Sequence, residues 1–193
     1  MKKTGLLMLA VVALLAVAGT ASAQRMFGSM PRHFLLLNPK VEAELKLTAA
    51  QKAAIDKACG DAVSSDDQGR IRIQMTGATD MDEIKVALRK SITPAQDKRL
   101  MEIWLQRDGT MTLGDADVQK ELGLTPDQKK KIEAIMEEFG DGMQELIHST
   151  GGNITLEASK SLRDGTKKKL DTVMTEAQKA KFETMKGKPF KWN

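Results

Sequence analysis

The stretch that decides the fold reads Leu124-Thr125-Pro126-Asp127-Gln128. A threonine followed three residues later by glutamine is a capping box, in which each side chain accepts a hydrogen bond from the other residue's backbone N–H. Pro126 suits the first helical position, where its missing N–H has no helical partner to lose. Apolar residues follow 7, 10 and 11 positions after the threonine, on one face of a helix. The stretch therefore predicts a helix that starts at Thr125 and packs through one face.

The same pattern of an apolar residue, threonine, two variable residues and glutamine occurs four times in the chain. Every copy has another apolar residue seven positions after its threonine. Four such agreements predict four capped helix starts, and we interpret these residues as structural caps rather than as a functional surface. The capping residues are Thr48 with Gln51, Thr93 with Gln96, Thr125 with Gln128, and Thr175 with Gln178.

The boxes lie within a longer repeat. Residues 38–48 resemble 115–125 at an offset of 77 (125 − 48), and residues 88–93 resemble 170–175 at an offset of 82 (175 − 93). The sequence thus predicts an all-α helical bundle of two similar halves built by internal duplication. The expected helices are about 39–46, 48–64, 80–90 and 94–107 in the first half, and 116–122, 125–148, 155–172 and 176–186 in the second.

The N-terminus has the three parts of a secretory signal peptide. Lys2 and Lys3 precede an apolar run, 6–18, which is shorter than the roughly 20 residues that span a bilayer. Ala21-Ser22-Ala23 is a small-x-small cleavage site, so we expect cleavage after Ala23 and a periplasmic protein, with an uncleaved membrane anchor as the alternative. The expected divisions are a signal peptide (1–23), a flexible N-terminal segment (24–35), helical repeat 1 (36–109), helical repeat 2 (110–187) and a C-terminal tail (188–193).

Charge and cysteine content limit the function further. Without Lys2 and Lys3 the chain has 28 basic and 26 acidic residues, a net charge of +2, which offers no general field for nucleic acid. The single cysteine, Cys59, cannot form an internal disulfide, so in an oxidising compartment it is either buried or an intermolecular linker. Its helical spacing from Ile55 favours burial.

The repeated Leu-Thr-x-x-Gln box, exact at Leu47 and Leu124 and with Ile92 or Met174 in place of Leu in the other two copies, lies behind a predicted signal peptide. In this the chain resembles the LTxxQ-motif family of bacterial periplasmic proteins, which includes Spy- and CpxP-like envelope-stress proteins. The segments 41–48 and 118–125, with Gly187-Lys188-Pro189-Phe190, resemble its duplicated branch most. The resemblance implies a helical envelope protein. Spy-like members are dimeric cradles with two boxes per chain that hold unfolding clients without ATP, so four boxes predict such a dimer fused into one chain.

The sequence gives little support for catalysis. There is no Gly-x-Ser-x-Gly elbow, no phosphate-binding glycine loop, and only two histidines are present to act as bases. The carboxylate pairs Glu137-Glu138 and Asp66-Asp67 lie in charged runs that we expect to be solvated. We therefore predict a non-enzymatic protein without a cofactor.

Metal-ligating residues and methionines suggest two further hypotheses. His33 follows Met26 and Met30, and such a tail suits loose copper binding, although no paired His or Cys motif predicts a dedicated metal site. Methionines suit adaptable binding surfaces but also fill helical cores. We expect Met136 in the core; the better surface candidates are Met26, Met30, Met75, Met81 and Met111.

Two short segments have alternative interpretations. Phe190 and Trp192 either bind an anionic surface or dock back onto the bundle, and we favour docking. The stretch 70–73 alternates like a strand, but we interpret it as helix or loop because no second strand is evident to pair with it.

The expected function is that of a Spy-like ATP-independent chaperone or stress-responsive binding protein, whose partners are unfolded or partner proteins and not nucleic acid. The alternatives are a metal-responsive sensor or buffer of the envelope, and a structural or regulatory module that binds one partner protein.

Overall fold

The computed structural model describes residues 30–65, 71–73, 80–151 and 153–192. These residues are mostly helical, which confirms the predicted all-α class. The predicted signal peptide, 1–23, lies outside the described residues. Of the helices described, none combines the length and the apolar character needed to cross a bilayer.

The first half consists of a 3-10 helix and four α-helices. Asn38 caps α1 and Asp80 caps α3, because the side-chain oxygen of each accepts backbone N–H groups from the first helical turn. Thr48 and Thr93 cap α2 and α4. The elements are the first 3-10 helix (Arg32–Leu37), α1 (Pro39–Glu44), α2 (Ala49–Cys59), α3 (Met81–Lys90) and α4 (Pro94–Asp108).

The second half has the same order of helices. Its longest helix, α6, has 24 residues against 11 in α2, and packs along α7 as a long hairpin. The elements are the second 3-10 helix (Gly109–Gly114), α5 (Ala116–Leu122), α6 (Pro126–Ser149), α7 (Leu156–Asp171) and α8 (Glu176–Met185).

A strand pair lies between α2 and α3, and two predictions about this region were wrong. Helix α2 ends at Cys59 rather than near 64 because Gly60 adopts φ +50°, a left-handed conformation that glycine tolerates. The chain then forms β1 (Val63–Ser65), which pairs antiparallel with β2 (Ile71–Ile73) in the register Ser64 opposite Arg72. The alternating stretch 70–73 therefore contains a strand. Its partner, β1, has only three residues, which are too few to show an alternating pattern in the sequence.

The prediction of a flexible N-terminal segment was also wrong for the part that the structure describes, residues 30–35. Arg32, His33, Phe34 and Leu35 are buried in the first 3-10 helix. The Trp104 indole N–H donates to the Met30 carbonyl oxygen at 2.8 Å and fixes the start of this segment. A run of four apolar residues, 34–37, favours burial over mobility because it removes apolar surface from water.

Buried residues from both halves form one continuous core. Several positions 77 residues apart, up to the ends of α2 and α6, are buried in both halves, as are several positions 82 apart from α3 and α7 onward. Val41 and Val118 are both 0% exposed, as are Leu88 and Leu170. Asn38 and Asp115, also 77 apart, cap α1 and α5 through equivalent hydrogen bonds.

The C-terminal tail docks onto α4, as favoured from the sequence. Gln106 donates to the Lys188 carbonyl oxygen and accepts from the Phe190 N–H, each at 2.7 Å. The Phe190 and Trp192 rings meet edge to face at 4.7 Å and pack against the core. The tail of the second half thereby covers a helix of the first.

Candidate functional site

The four threonines predicted to cap helices are all N-cap residues in the structure. At Thr125 the hydroxyl accepts from the Gln128 N–H at 3.2 Å, and Gln128 Oε1 accepts from the Thr125 N–H at 2.9 Å. The same reciprocal pair is present at Thr48, Thr93 and Thr175. Each glutamine uses only its carbonyl oxygen for the cap, so its amide group is available to donate elsewhere.

That amide joins two capped helices within each half. In the first half, Gln51 Nε2 donates to Gln96 Oε1 at 2.7 Å, and Gln96 Nε2 donates back to Gln51 Oε1 at 3.2 Å. Gln51 also donates to the Ser91 carbonyl oxygen at 3.1 Å, and Gln96 to the Leu45 carbonyl oxygen at 3.0 Å. We call this reciprocal pair a glutamine clasp.

The second half contains the equivalent clasp. Gln128 Nε2 donates to Gln178 Oε1 at 2.7 Å, and Gln178 Nε2 returns a bond to Gln128 Oε1 at 3.1 Å. Gln128 also donates to the Val173 carbonyl oxygen at 2.8 Å, at the position 82 residues after Ser91. The boxes therefore bind helix starts to one another, a role that the local sequence pattern alone does not show.

A buried arginine cluster, which the sequence did not reveal, joins the two halves. The Arg32 side chain is 3% exposed; its guanidinium lies 3.2 Å from the Asp97 carboxylate on α4 and 2.7 Å from that of Asp117 on α5. Asp115 lies 3.5 Å from the same group, and Arg89 Nη1 lies 3.4 Å from Asp117. These five residues come from four separate elements, with Asp115 and Asp117 both at the start of α5, so no short sequence motif could predict their meeting.

The cluster favours the ionised form of the Asp97 and Asp117 carboxylates. Burial by itself would raise the pKa of Asp97, but hydrogen bonds from His33 and Arg32 and the Arg32 charge outweigh it, so that the pKa lies well below its usual range. The pKa of Asp117 is also lowered, chiefly by its hydrogen bond from Arg32. Carboxylates fixed in this way are suited to bind the halves together rather than to exchange protons near neutral pH.

The predicted metal tail is arranged differently in the structure. His33 is buried, and its Nε2 lies 3.1 Å from Asp97 Oδ1, so this nitrogen donates to the carboxylate. Met26 lies outside the described residues, and Met30 packs against the core. Within the described ranges, no group of three His, Cys, Asp or Glu side chains is placed to hold a metal ion.

The methionine predictions are partly wrong. Met111 is 1% exposed because it occupies the second 3-10 helix in the middle of the core. Met81 is partly buried and packs against the core, as does the predicted core residue Met136. Met75 lies outside the described residues. Cys59 is buried, as its spacing predicted, and burial, followed by the nearby Asp56 charge, raises the pKa of its thiol to about 11.

A groove of about 440 Å³ runs between α6 and α7. Leu162, which is partly buried, contributes apolar surface to it, and the buried Phe139 lies along its wall. The absence of a side chain at Gly165 leaves open space there. Charged side chains also line it, among them Glu138 and Lys169, which form an ion pair across the groove. This volume falls in the range of small-ligand or side-chain binding sites.

No family model, curated protein or solved structure matches this chain.

Proposed function

We propose that this chain is an exported, non-enzymatic protein of the periplasm that acts as a Spy-like ATP-independent chaperone or stress-responsive binding protein. The proposal includes an origin of its two halves by internal duplication, supported by the repeated element order and the two equivalent clasps. The observation that carries it is the groove between α6 and α7, where apolar side chains lie beside charged ones.

A surface of this kind suits weak capture of non-native chains. Apolar side chains of a client would contact Leu162, while Glu138, Asp141 and Lys169 contact its polar backbone and charges. Adaptable binding requires only that some apolar surface be accessible, because the hydrophobic contribution is not directional.

The exposed Leu156 adds to this surface. It is 85% exposed in the first turn of α7, the helix that forms one side of the groove. Among the described residues, the other large apolar side chain that is mostly exposed is Val86, at 51% on α3. We take this accessible leucine, on the same helix as the groove residues, as part of the proposed binding surface of the hairpin.

The test is suppression of aggregation of several unrelated clients without nucleotide. Gly165→Met fills the groove, and Ala134→Met, at an exposed position of α6 outside it, is the matched control. Leu156→Ser is likewise compared with Val86→Ser. We expect the wild type and both controls to suppress aggregation near one to one, and both hairpin variants to do so several-fold less well.

Two results would overturn the proposal. The first is a wild-type protein that suppresses no client, and the second is a pair of hairpin variants as active as their controls. Pull-down of one species, without suppression of any client, would instead favour a module that binds a single partner.

A further inference from the structure

The position that Arg32 fills in the first half is occupied differently in the second half. Arg32 begins the first 3-10 helix and lies between Asp97 of α4 and Asp117 of α5. Arg89, from the end of α3, approaches the same Asp97 carboxylate at 3.8 Å. The first half thus closes this position with an internal arginine held by carboxylates.

The corresponding residues of the second half have changed size and charge. At the offset of 77, Gly109 stands in place of Arg32. At the offset of 82, Lys179 replaces Asp97 and Asp171 replaces Arg89. Gly109 therefore contributes no side chain to this position, and an ammonium group corresponds to Asp97, one of the carboxylates that hold Arg32.

A cavity of about 440 Å³ is present at this position. It is bordered by Gly109 and by three lysines, Lys167, Lys179 and Lys186. Asp171 and Glu183 also line it, so that its charged groups sum to +1 (three lysines and two carboxylates). Buried Phe182 and Met174 provide apolar wall.

The lysines differ in how they are already paired. Lys179 contacts Glu176 at 2.7 Å, and Lys186 contacts Glu183 at 2.6 Å, both pairs being one turn apart on α8. The ammonium of Lys167 lies 3.9 Å from where a β-carbon at Gly109 would stand. It has no hydrogen bond or ion pair with any residue that the structure describes, so a bound anion would give it a partner.

We propose that the cavity at Gly109 binds a carboxylate group, with Lys167, Lys179 and Lys186 providing the positive charge and Phe182 and Met174 contacting the carbon chain behind it. The net charge of +1 matches a single carboxylate, whereas a dianion would face Asp171 and Glu183. The carboxylate comes either from a small free acid or from a glutamate side chain of a partner protein. The proposal is independent of client binding at the α6–α7 groove, which lies among other residues.

The experiment follows the amide resonances of Gly109 and Thr110 during titration of the full mature chain. The probes are acetate, a short peptide with one central glutamate, and the same peptide with glutamine in its place, all capped at both termini. We expect saturable shifts with acetate and with the glutamate peptide, and none with the glutamine peptide. Tighter binding of the glutamate peptide assigns the site to a partner protein, and equal affinity for acetate assigns it to a free acid.

Charge-reversal variants separate the cavity from the general surface. Lys179→Glu is compared with Lys160→Glu, an exposed lysine on α7 that is also in a local ion pair, with Asp164. We expect Lys179→Glu to weaken binding about tenfold or more, and Lys160→Glu to leave it within about twofold. Lys167→Gln, which leaves the α8 ion pairs intact, serves as a second cavity variant should Lys179→Glu lose its fold.

The proposal is overturned if neither carboxylate probe gives saturable shifts at Gly109 and Thr110. It is equally overturned if the glutamine peptide binds as well as the glutamate peptide, or if the control variant weakens binding as much as the cavity variants do.

Discussion

Gln51 and Gln96 exchange two amide hydrogen bonds, at 2.7 and 3.2 Å, while each also closes the capping box of its own helix. One side chain thereby satisfies a helix terminus and fixes a second helix beside it. Because both glutamines are partly buried, an unpaired amide at this position would lose hydrogen bonds that water could replace only in part.

The clasp can be tested separately from the cap. In Gln96→Glu the carboxylate still accepts from the Thr93 N–H but donates nothing to Gln51 or to the Leu45 carbonyl. We expect the free energy of unfolding to fall by about 1–3 kcal/mol, measured by urea denaturation above pH 6. If Gln96 served only as a local cap, Gln96→Glu would leave the free energy of unfolding unchanged or raise it slightly, because a negative charge near a helix N-terminus is favourable.

Helix α7 provides the matched control for this experiment. Its N-cap is Thr155 and its third helical residue is Ala158, so it has a threonine cap but neither box nor clasp. Ala158→Glu introduces the carboxylate at the same helical position, and we expect unchanged or slightly increased stability. A loss of stability equal to that of Gln96→Glu would attribute the effect to the charge and contradict the clasp.

Removal of the Arg32 guanidinium should be strongly destabilising. Arg32→Met retains apolar volume but leaves the Asp97, Asp115 and Asp117 carboxylates without their buried partner. We expect a loss of about 3–5 kcal/mol in the free energy of unfolding. Arg89→Gln, at a side chain that is 57% exposed, should cost no more than about 1 kcal/mol. Equal losses in urea denaturation of the two variants would contradict this account.

Acid should weaken the same cluster. The pKa of Asp97 is lower in the folded chain than the value of about 3.9 typical of unfolded chains. Its contribution to stability is therefore complete well above that value and is lost progressively as pH falls toward the folded pKa. We expect unfolding free energy to decline below about pH 5, and less steeply in Asp97→Asn, which has lost this titrating group. Identical acid profiles, measured by thermal unfolding at a series of pH values, would refute the assignment.

Cys59 should be unreactive in the folded protein. Its burial and a pKa raised to about 11 leave little accessible thiolate at neutral pH. We expect no alkylation by iodoacetamide under native conditions and complete alkylation in urea, as measured by intact mass. Rapid native labelling, or a disulfide-linked dimer in the absence of reductant, would contradict its place in the core.

Two helical glycines should respond in different ways to the same substitution. Gly165 has open space where a β-carbon would stand, so Gly165→Ala should stabilise the protein by about 0.5–1 kcal/mol through helix propensity. At Gly142 a β-carbon would lie 3.1 Å from Leu162 Cδ1, so the same gain should be reduced or reversed. Thermal unfolding of the two variants shows which substitution stabilises the protein more. A larger increase in stability for Gly142→Ala than for Gly165→Ala would contradict the close packing of α6 on α7.

The sequence alone determined where most helices start. A capping box lies within four consecutive residues, and its hydrogen bonds form wherever that segment becomes helical, so Thr48, Thr93, Thr125 and Thr175 could be identified without a fold. Proline at the first helical position, as at Pro126, is an equally local signal. The all-α class followed because the apolar positions repeat with the period of a helix.

Tertiary structure alone decided what those starts contact. The partner of Gln51 is 45 residues away and that of Arg32 is 65 or 85 away, and a one-dimensional pattern carries no information on such distances. The burial of His33 and Met111 depended in the same way on which surfaces the helices left to be covered. Local hydrogen bonds can be predicted from neighbouring residues, whereas buried pairings arise only once the packed helices have excluded water from both partners.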